Sequence, residues 1–277
     1  MGGGCGMAHK TLIDSTGYEI KSGRTLIGGT GYDIKKGRTL IDGTGYDISF
    51  GASVGELAVG SSVFMNVTSL DGLQDTRTEF LIVHQGNPST QNYSNADGTW
   101  VYMKDAYFRV CFSWADSLPV DYAASSVDYL LNTYSKSFYN LLSADVREAI
   151  LKPRIPYKKY TATNTSTLST FEARIFLPSP TELGYTAGTY NSEYDGVVLE
   201  YFSDGSSSIR KCSFEYWTRR VSNYSNAYTI DLNGNLTTAP VAEYDTLYAD
   251  DRYIYIRPMF ILNKELVKYD ENFNVYS

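Results

Sequence analysis

The sequence predicts an α+β domain over residues 52–277, preceded by a small all-β repeat over residues 10–51 and a Gly-rich tail over residues 1–9. Three observations lead there. Many short apolar or alternating runs read as strands, while only two stretches carry helical periodicity. Ahead of them a motif with a period of 14 residues occurs three times.

The repeat runs Lys10-Thr-Leu-Ile-Asp-Ser-Thr-Gly-Tyr-Glu-Ile-Lys-Ser-Gly23, then Arg24 to Gly37 and Arg38 to Gly51. Each copy holds a Thr-Leu-Ile strand, a Gly-containing turn, a second Tyr-Asp/Glu-Ile strand and a closing Gly, a pattern for a β-meander or short β-solenoid. Its core candidates are Leu12, Ile13, Tyr18 and Ile20, then Leu26, Ile27, Tyr32 and Ile34, then Leu40, Ile41, Tyr46 and Ile48. A segment this short cannot bury a self-sufficient core. The repeats therefore predict an anchoring or oligomerisation device, packed against further copies of the chain or docked on a larger assembly. Six basic and five acidic residues nearly cancel over residues 10–51, so apolar and backbone pairing would hold it rather than charge.

From Ala52 the larger domain begins. Val54 to Val67 and Thr78 to His84 read as strands with a loop over Leu70 to Thr76 between them, and Trp100 to Tyr107 as the next. A polar loop, Gly86 to Gly98, separates the last two. Asp121 to Tyr134 places Val127, Leu130, Leu131 and Tyr134 on one helical face, and Ser143 caps a second predicted helix that runs to Lys152 with Val146, Ala149 and Ile150 inward. Pro153 and Pro156 stop it. Thr161 to Thr170 is a polar loop, Phe171 to Leu177 a strand, and Gly184 to Gly196 a Tyr/Asn-rich loop.

The stretch Tyr216 to Leu262 carries the functional signal. Tyr216-Trp-Thr-Arg-Arg220 and Ile256-Arg-Pro-Met-Phe-Ile-Leu262 frame it, and Tyr228, Ile230 and Leu232 alternate into an Asn233-Gly234 hairpin turn. Between the frames lie Asn223, Tyr224, Ser225, Asn226, Tyr228, Tyr244, Tyr248, Asp250, Asp251 and Tyr253. Tyr supplies contact area with few rotatable bonds, and Ser and Asn supply adaptable hydrogen bonds, the composition of a binding face. Tyr also favours strands, and with 25 tyrosines in 277 residues sheet-building alone is the competing reading. The expected ligand-binding residues are Tyr216, Trp217, Arg219, Arg220, Asn223, Tyr224, Asn226, Tyr228, Tyr244, Tyr248, Asp250 and Arg252.

The framed pattern, an aromatic-Trp-x-Arg strand, an Asn-Gly hairpin and a closing Arg-Pro-x-aromatic strand, resembles the C-terminal half of a family common in phages and prophages of gut Firmicutes and described as a domain of unknown function. The matching residues are Tyr216, Trp217, Arg219, Arg257, Pro258, Phe260 and Leu262. Val54 to Met65, Glu79 to Pro88, Gly98 to Asp105, Ile155-Pro-Tyr157 and Ala173 to Ser179 extend the resemblance over roughly residues 52–267. It departs at Trp217-Thr-Arg-Arg220, where the family usually has Trp-Leu-Arg-Ser. The resemblance implies a C-type-lectin-like fold, shared with formylglycine-generating enzymes and the variable proteins of diversity-generating retroelements. The repeats look like those at the start of phage tail-associated proteins.

Composition narrows the function classes. A formal net charge of -7 argues against a nucleic-acid binder, which needs a basic face. No run of about 18 apolar residues predicts a membrane span, and Met1-Gly-Gly-Gly-Cys-Gly-Met lacks the regions of a secretion signal. Cys5, Cys111 and Cys212 are widely spaced and odd in number, as expected of reduced structural thiols.

His84, without a nucleophile motif beside it, reads as structural. The resemblance to the formylglycine-generating branch leaves Cys111 and Cys212 as the only catalytic candidates, with Arg210 and Lys211 beside Cys212 the one hint of thiolate activation. Asp245, Asp250 and Asp251 read as a solvated acidic loop rather than a metal site.

The expectation is a non-enzymatic phage virion protein of a tail, tail tip, baseplate or fibre, without cofactor or metal. Residues 1–51 would engage other virion proteins and make a homo-oligomer, while the Tyr-rich face attaches to a host-surface glycan or protein; neither nucleic acid nor membrane is an expected partner. The alternative is a purely structural tail, baseplate or head-decoration protein whose face packs on neighbouring subunits. An enzyme of the formylglycine-generating fold is the remaining rival.

Overall fold

The structure, a computed structural model, describes residues 9–13, 16–20, 24–27, 30–33, 36–41, 44–49, 53–70, 72–113, 121–160, 166–186, 195–223, 225–241 and 254–266. Each repeat folds back on itself as an antiparallel hairpin: β1 (His9–Ile13) with β2 (Thr16–Ile20), β3 (Arg24–Ile27) with β4 (Thr30–Asp33), and β5 (Lys36–Ile41) with β6 (Thr44–Ser49). Thr11, Thr25 and Thr39 face Tyr18, Tyr32 and Tyr46 in the same register. Among the described residues no ladder joins one hairpin to the next, so the paired unit is the single repeat rather than a continuous meander. Ile34 lies outside the described residues.

Beyond the repeats the molecule is built on two five-stranded sheets. Chain order supplies β7 (Ser62–Thr68), β8 (Asp75–Gly86), β9 (Gly98–Met103), β10 (Arg109–Val110), β11 (Arg154–Tyr160), β12 (Ser166–Glu172), β13 (Ile175–Phe176), β14 (Tyr216–Val221), β15 (Asn226–Ile230), β16 (Leu236–Pro240), β17 (Ile254–Tyr255) and β18 (Met259–Leu262). The central sheet has the order β13-β18-β9-β8-β7, the second β10-β17-β14-β15-β16, and β11 pairs with β12 as a separate hairpin.

The central sheet is covered on both faces, which explains its uninterrupted apolar runs. Phe80, Ile82, Val101, Met103, Phe260 and Leu262 face one core; Leu81, Val83, Trp100, Tyr102, Met259 and Ile261 face the other. Trp100 organises the second core. Its ring meets Tyr93 and Phe176 edge-on at 5.3 and 5.8 Å, and its indole N–H donates to the carbonyls of Gly86 and Ala96.

The expected α+β class with two helices does not hold: the fold is β-rich, and the longest α-helix among the described residues is Ala144–Ala149. Over Asp121 to Tyr134 the chain makes a 3₁₀ turn at Tyr122–Ala124, an α turn at Ser126–Asp128 and a π turn at Tyr129–Thr133. Polar side chains break the helix. Ser125 sits in an extended conformation and its Oγ accepts from Asp128 N–H at 3.1 Å, which restarts the helix three residues late. Asn132 then turns to the sheet, where its Oδ1 accepts from Ile175 N–H at 3.0 Å and its Nδ2 donates to Ile175 O at 2.8 Å, and the widened π turn accommodates it.

The second predicted helix, Ser143 to Lys152, is shorter for a different reason. Ser143 occupies the N-cap position without a side-chain cap bond. At the other end Ile150 bridges to Leu262 and Leu151 N–H donates to Ile261 O, so the edge of the central sheet takes the backbone that the helix would have used.

Several strand boundaries shift as well. Val54–Glu56 is a 3₁₀ turn ahead of β7, and Phe171 to Leu177 divides between β12 and β13. The β15–β16 connection is wider than a two-residue turn. Ile230 pairs with Leu236, and the Asp231 carboxylate accepts from the Asn233 and Asn235 N–H groups. Leu232, expected on the apolar face, is exposed in this turn.

Candidate functional site

Four buried arginines tie the second sheet to the loops around it. Strand β14 carries two of them on a bulge: Trp217 faces Thr229 and Val221 faces Ala227, so Thr218, Arg219 and Arg220 together oppose the single residue Tyr228. A bulge re-aims side chains that strict alternation would send to opposite faces.

All five N–H bonds of Arg219 are satisfied internally. They reach the carbonyls of Pro156, Leu177 and Asp195 and both carboxylate oxygens of Glu182, the latter at 2.5 and 2.6 Å. Glu182 is satisfied in turn, accepting also from the Tyr93 hydroxyl at 2.7 Å and the Ser179 N–H at 3.0 Å. Burial by itself would lower the Arg219 guanidinium, but the Glu182 carboxylate outweighs it and holds the charge in place. Arg220 lies 3.2 Å from Asp195, which also accepts from Thr181.

Arg210 donates to the carbonyls of Gly234, Leu183 and Gly205 and lies over the Tyr185 ring at 4.1 Å. Arg257 sits between the rings of Tyr102 and Tyr216 at 4.1 and 5.2 Å and donates to Met103 O and Lys104 O.

These contacts change the membership of the expected binding face. Tyr216, Trp217, Arg219 and Arg220 are buried, with Tyr216 donating to Arg210 O and Trp217 to Val110 O. Their aromatic and guanidinium groups are spent on the interior, because a strand between two layers has no solvent face to offer. Asn223, Asn226 and Tyr228 remain partly exposed, and Asn223 Oδ1 shapes the turn by accepting from the Ser225 and Asn226 N–H groups. Tyr224, Tyr244, Tyr248, Asp250 and Arg252 lie outside the described residues, as do Asp245 and Asp251.

A feature that sequence reasoning passed over is an open groove of about 750 Å³ where the end of β9 meets the segment ahead of β14. Lys104, Asp105, Lys211, Cys212, Ser213 and Arg257 line it, with Glu79, Leu81, Met103, Tyr201 and Ile209 among its other walls. Asp105 accepts from the Cys212 thiol at 3.1 Å and from the Ser213 hydroxyl at 3.2 Å. Burial would raise its carboxyl, but these bonds and that from Ala106 N–H hold it below the usual range. Glu79 is bound by Lys104 at 2.8 Å. The only sequence signal was Arg210-Lys211 beside Cys212; Asp105 and Glu79 are more than a hundred residues away and reach it through the central sheet.

The thiol is poorly set up for nucleophilic work. Burial raises its pKa first, Asp105 adds to that, and Arg257 opposes both without reversing them. Cys111 and Cys212 form no disulfide among the described residues, Cys111 being buried and Cys212 partly so. His84 packs edge-on against Trp100, 3.9 Å from Glu200, and burial lowers its pKa against the pull of that carboxylate. Among the described residues no group of three His, Cys, Asp or Glu side chains could hold a metal ion, and no helix is long and apolar enough to cross a membrane.

The class defined by this architecture is a β-rich scaffold whose loops are fastened by buried arginines. The chain belongs to the family described as Domain of unknown function (DUF6273), whose model matches residues 97–264, more than half of its length. That span includes the Arg210, Arg219, Arg220 and Arg257 clamps and their partners. No curated protein and no solved structure matches the chain.

Proposed function

We propose that the chain is an attachment protein of a phage particle, with the hairpin repeats anchoring or oligomerising it and the β-rich domain displaying polar, Tyr-bearing loops to a host-surface glycan or protein. One observation carries the reading: buried anchors flank the segments richest in binding-face residues. Glu182 and Asp195, held by Arg219 and Arg220, flank residues 187–194, which contain Tyr190, Asn191, Ser192 and Tyr194. Val241 and Ile254, both buried, flank residues 242–253, which contain Tyr244, Tyr248, Asp250 and Arg252. A rigid scaffold with variable loops is how recognition surfaces are commonly carried.

Binding rather than catalysis also fits a half-buried thiol with a raised pKa and hydrogen bonds committed to structure. Many weak copies on one particle would supply avidity. The test is adhesion of fluorescent full-length protein to host cells, with Tyr244→Ala/Tyr248→Ala and Tyr224→Ala variants alongside. Loss of adhesion with an unchanged melting temperature supports attachment. Wild-type adhesion by all variants, or none by the parent protein even when displayed on beads, overturns it and leaves subunit packing as the role of this face.

A further inference from the structure

The groove beside Cys212 has an asymmetry of hydrogen-bonding capacity that the fold does not use. Its acceptors are committed: Asp105 takes bonds from Cys212, Ser213 and Ala106 N–H, and Glu79 takes them from Lys104 and Ser62. Its donors are not. The Lys211 ammonium and the Tyr201 hydroxyl have no hydrogen-bond partner among the described residues.

Arg257 is the deeper case. It is 1 % exposed, yet no carboxylate among the described residues lies within ion-pair distance of it. Its acceptors among the described residues are the oxygens of Met103, Arg210, Tyr216 and Lys104, which use four of five N–H bonds and leave one on Nη2. A buried cation balanced only by carbonyls and ring faces favours an anion nearby.

We propose that this groove binds a hydroxylated small molecule or saccharide unit bearing one oxyanion, a carboxylate or a phosphate. Lys211 and the spare Arg257 N–H would meet the oxyanion, Tyr201 a hydroxyl, and the Leu81, Met103 and Ile209 side chains an apolar face of the ligand. At about 750 Å³ the groove falls in the size range of small-molecule sites. A single free guanidinium N–H makes the contact one-pronged, so charge rather than a bidentate fork would select the ligand. The inference is independent of the attachment proposal, since adhesion can fail while the groove still binds, and the reverse.

Cys212 is a built-in reporter because it lines the same groove. The full-length protein is treated with iodoacetamide, and the Cys212 peptide is followed by mass spectrometry in the presence of glucuronate, glucose 1-phosphate, methyl glucoside or sodium chloride at matched ionic strength. Glucuronate, glucose 1-phosphate or both should slow alkylation of Cys212 while methyl glucoside and sodium chloride do not, and the anion that protects identifies the oxyanion. Lys211→Gln should raise the half-protecting concentration about 5- to 10-fold, and Tyr201→Phe about 2- to 5-fold, in keeping with one charge-assisted and one neutral hydrogen bond. Both side chains reach solvent, so neither substitution should disturb folding, which a melting curve checks. No protection by either anion, equal protection by methyl glucoside, or an unchanged half-protecting concentration in Lys211→Gln overturns the proposal.

Discussion

Arg219 and Glu182 form a two-pronged ion pair with both side chains fully buried, joining a bulge in β14 to the loop after β13. Neither partner has hydrogen-bonding capacity left over. The pair therefore acts as a fixed joint, and what it fixes is the described loop after β13 that carries Leu177 and Glu182.

Breaking that joint from one side should be costly. Glu182→Gln leaves the Arg219 charge buried without its counter-ion, and the expected loss of unfolding free energy is about 3–5 kcal/mol. Urea denaturation of Glu182→Gln, Arg219→Met and the double variant checks it. The double variant should lose less than the sum of the singles, because it removes the uncompensated charge as well as the pair.

Gly234 and Gly205 both lie at positive φ, +78° and +67°, but only Gly234 is crowded. A Cβ there would meet Ser207 O, whereas none of the neighbours of Gly205 comes within 4 Å of one. Gly205→Ala should cost about 1–2 kcal/mol from backbone strain alone. Gly234→Ala should exceed it by about 1–3 kcal/mol of overpacking, read from paired denaturation curves.

Asp128 gives the stability a pH dependence. Burial raises its carboxyl first, Asn132 opposes this, and Asp121 adds to it, for a folded value of about 6. The folded state thus holds a proton more tightly than the unfolded chain does. Its contribution is most favourable below the ordinary carboxylate range, declines as pH rises through about 6, and stays lost above that. Asp128→Asn should then be more stable than the parent at pH 8 by about 1–2 kcal/mol, discounted for partial exposure, and indistinguishable from it near pH 4.

The raised pKa of Cys212 predicts sluggish alkylation at pH 7.5 compared with the same residue in the urea-unfolded chain. Asp105→Asn should speed the native reaction by removing a neighbouring negative charge and leaving the thiol proton a weaker, neutral acceptor. A native Cys212 faster than the unfolded thiol would revive the enzyme reading.

The repeats predict assembly. Full-length protein should form a defined oligomer by light scattering after size-exclusion chromatography, and a chain beginning at Ala52 should not. Monomers in both cases would assign residues 10–51 to docking on a different protein.

The sequence by itself determined what local rules can reach. Strict three-fold recurrence at Thr11/Tyr18, Thr25/Tyr32 and Thr39/Tyr46 marked the hairpin units, and the apolar runs at Phe80, Trp100 and Met259 marked strands that the structure buries on both faces. Periodicity misled at Asp121 to Tyr134, because Ser125 and Asn132 found partners outside a regular helix, one in its own backbone and one on β13. Tertiary structure alone decided the fate of the framing residues. Tyr216-Trp217 and Arg219-Arg220 have the composition of a binding face, yet a bulge and two covering layers turn them into clamps. The groove was hidden for the complementary reason: Glu79, Asp105, Lys211 and Arg257 are distant in sequence, and the pairing of β8, β9 and β18, with the bonds from Cys212 and Ser213 to Asp105, brings them together.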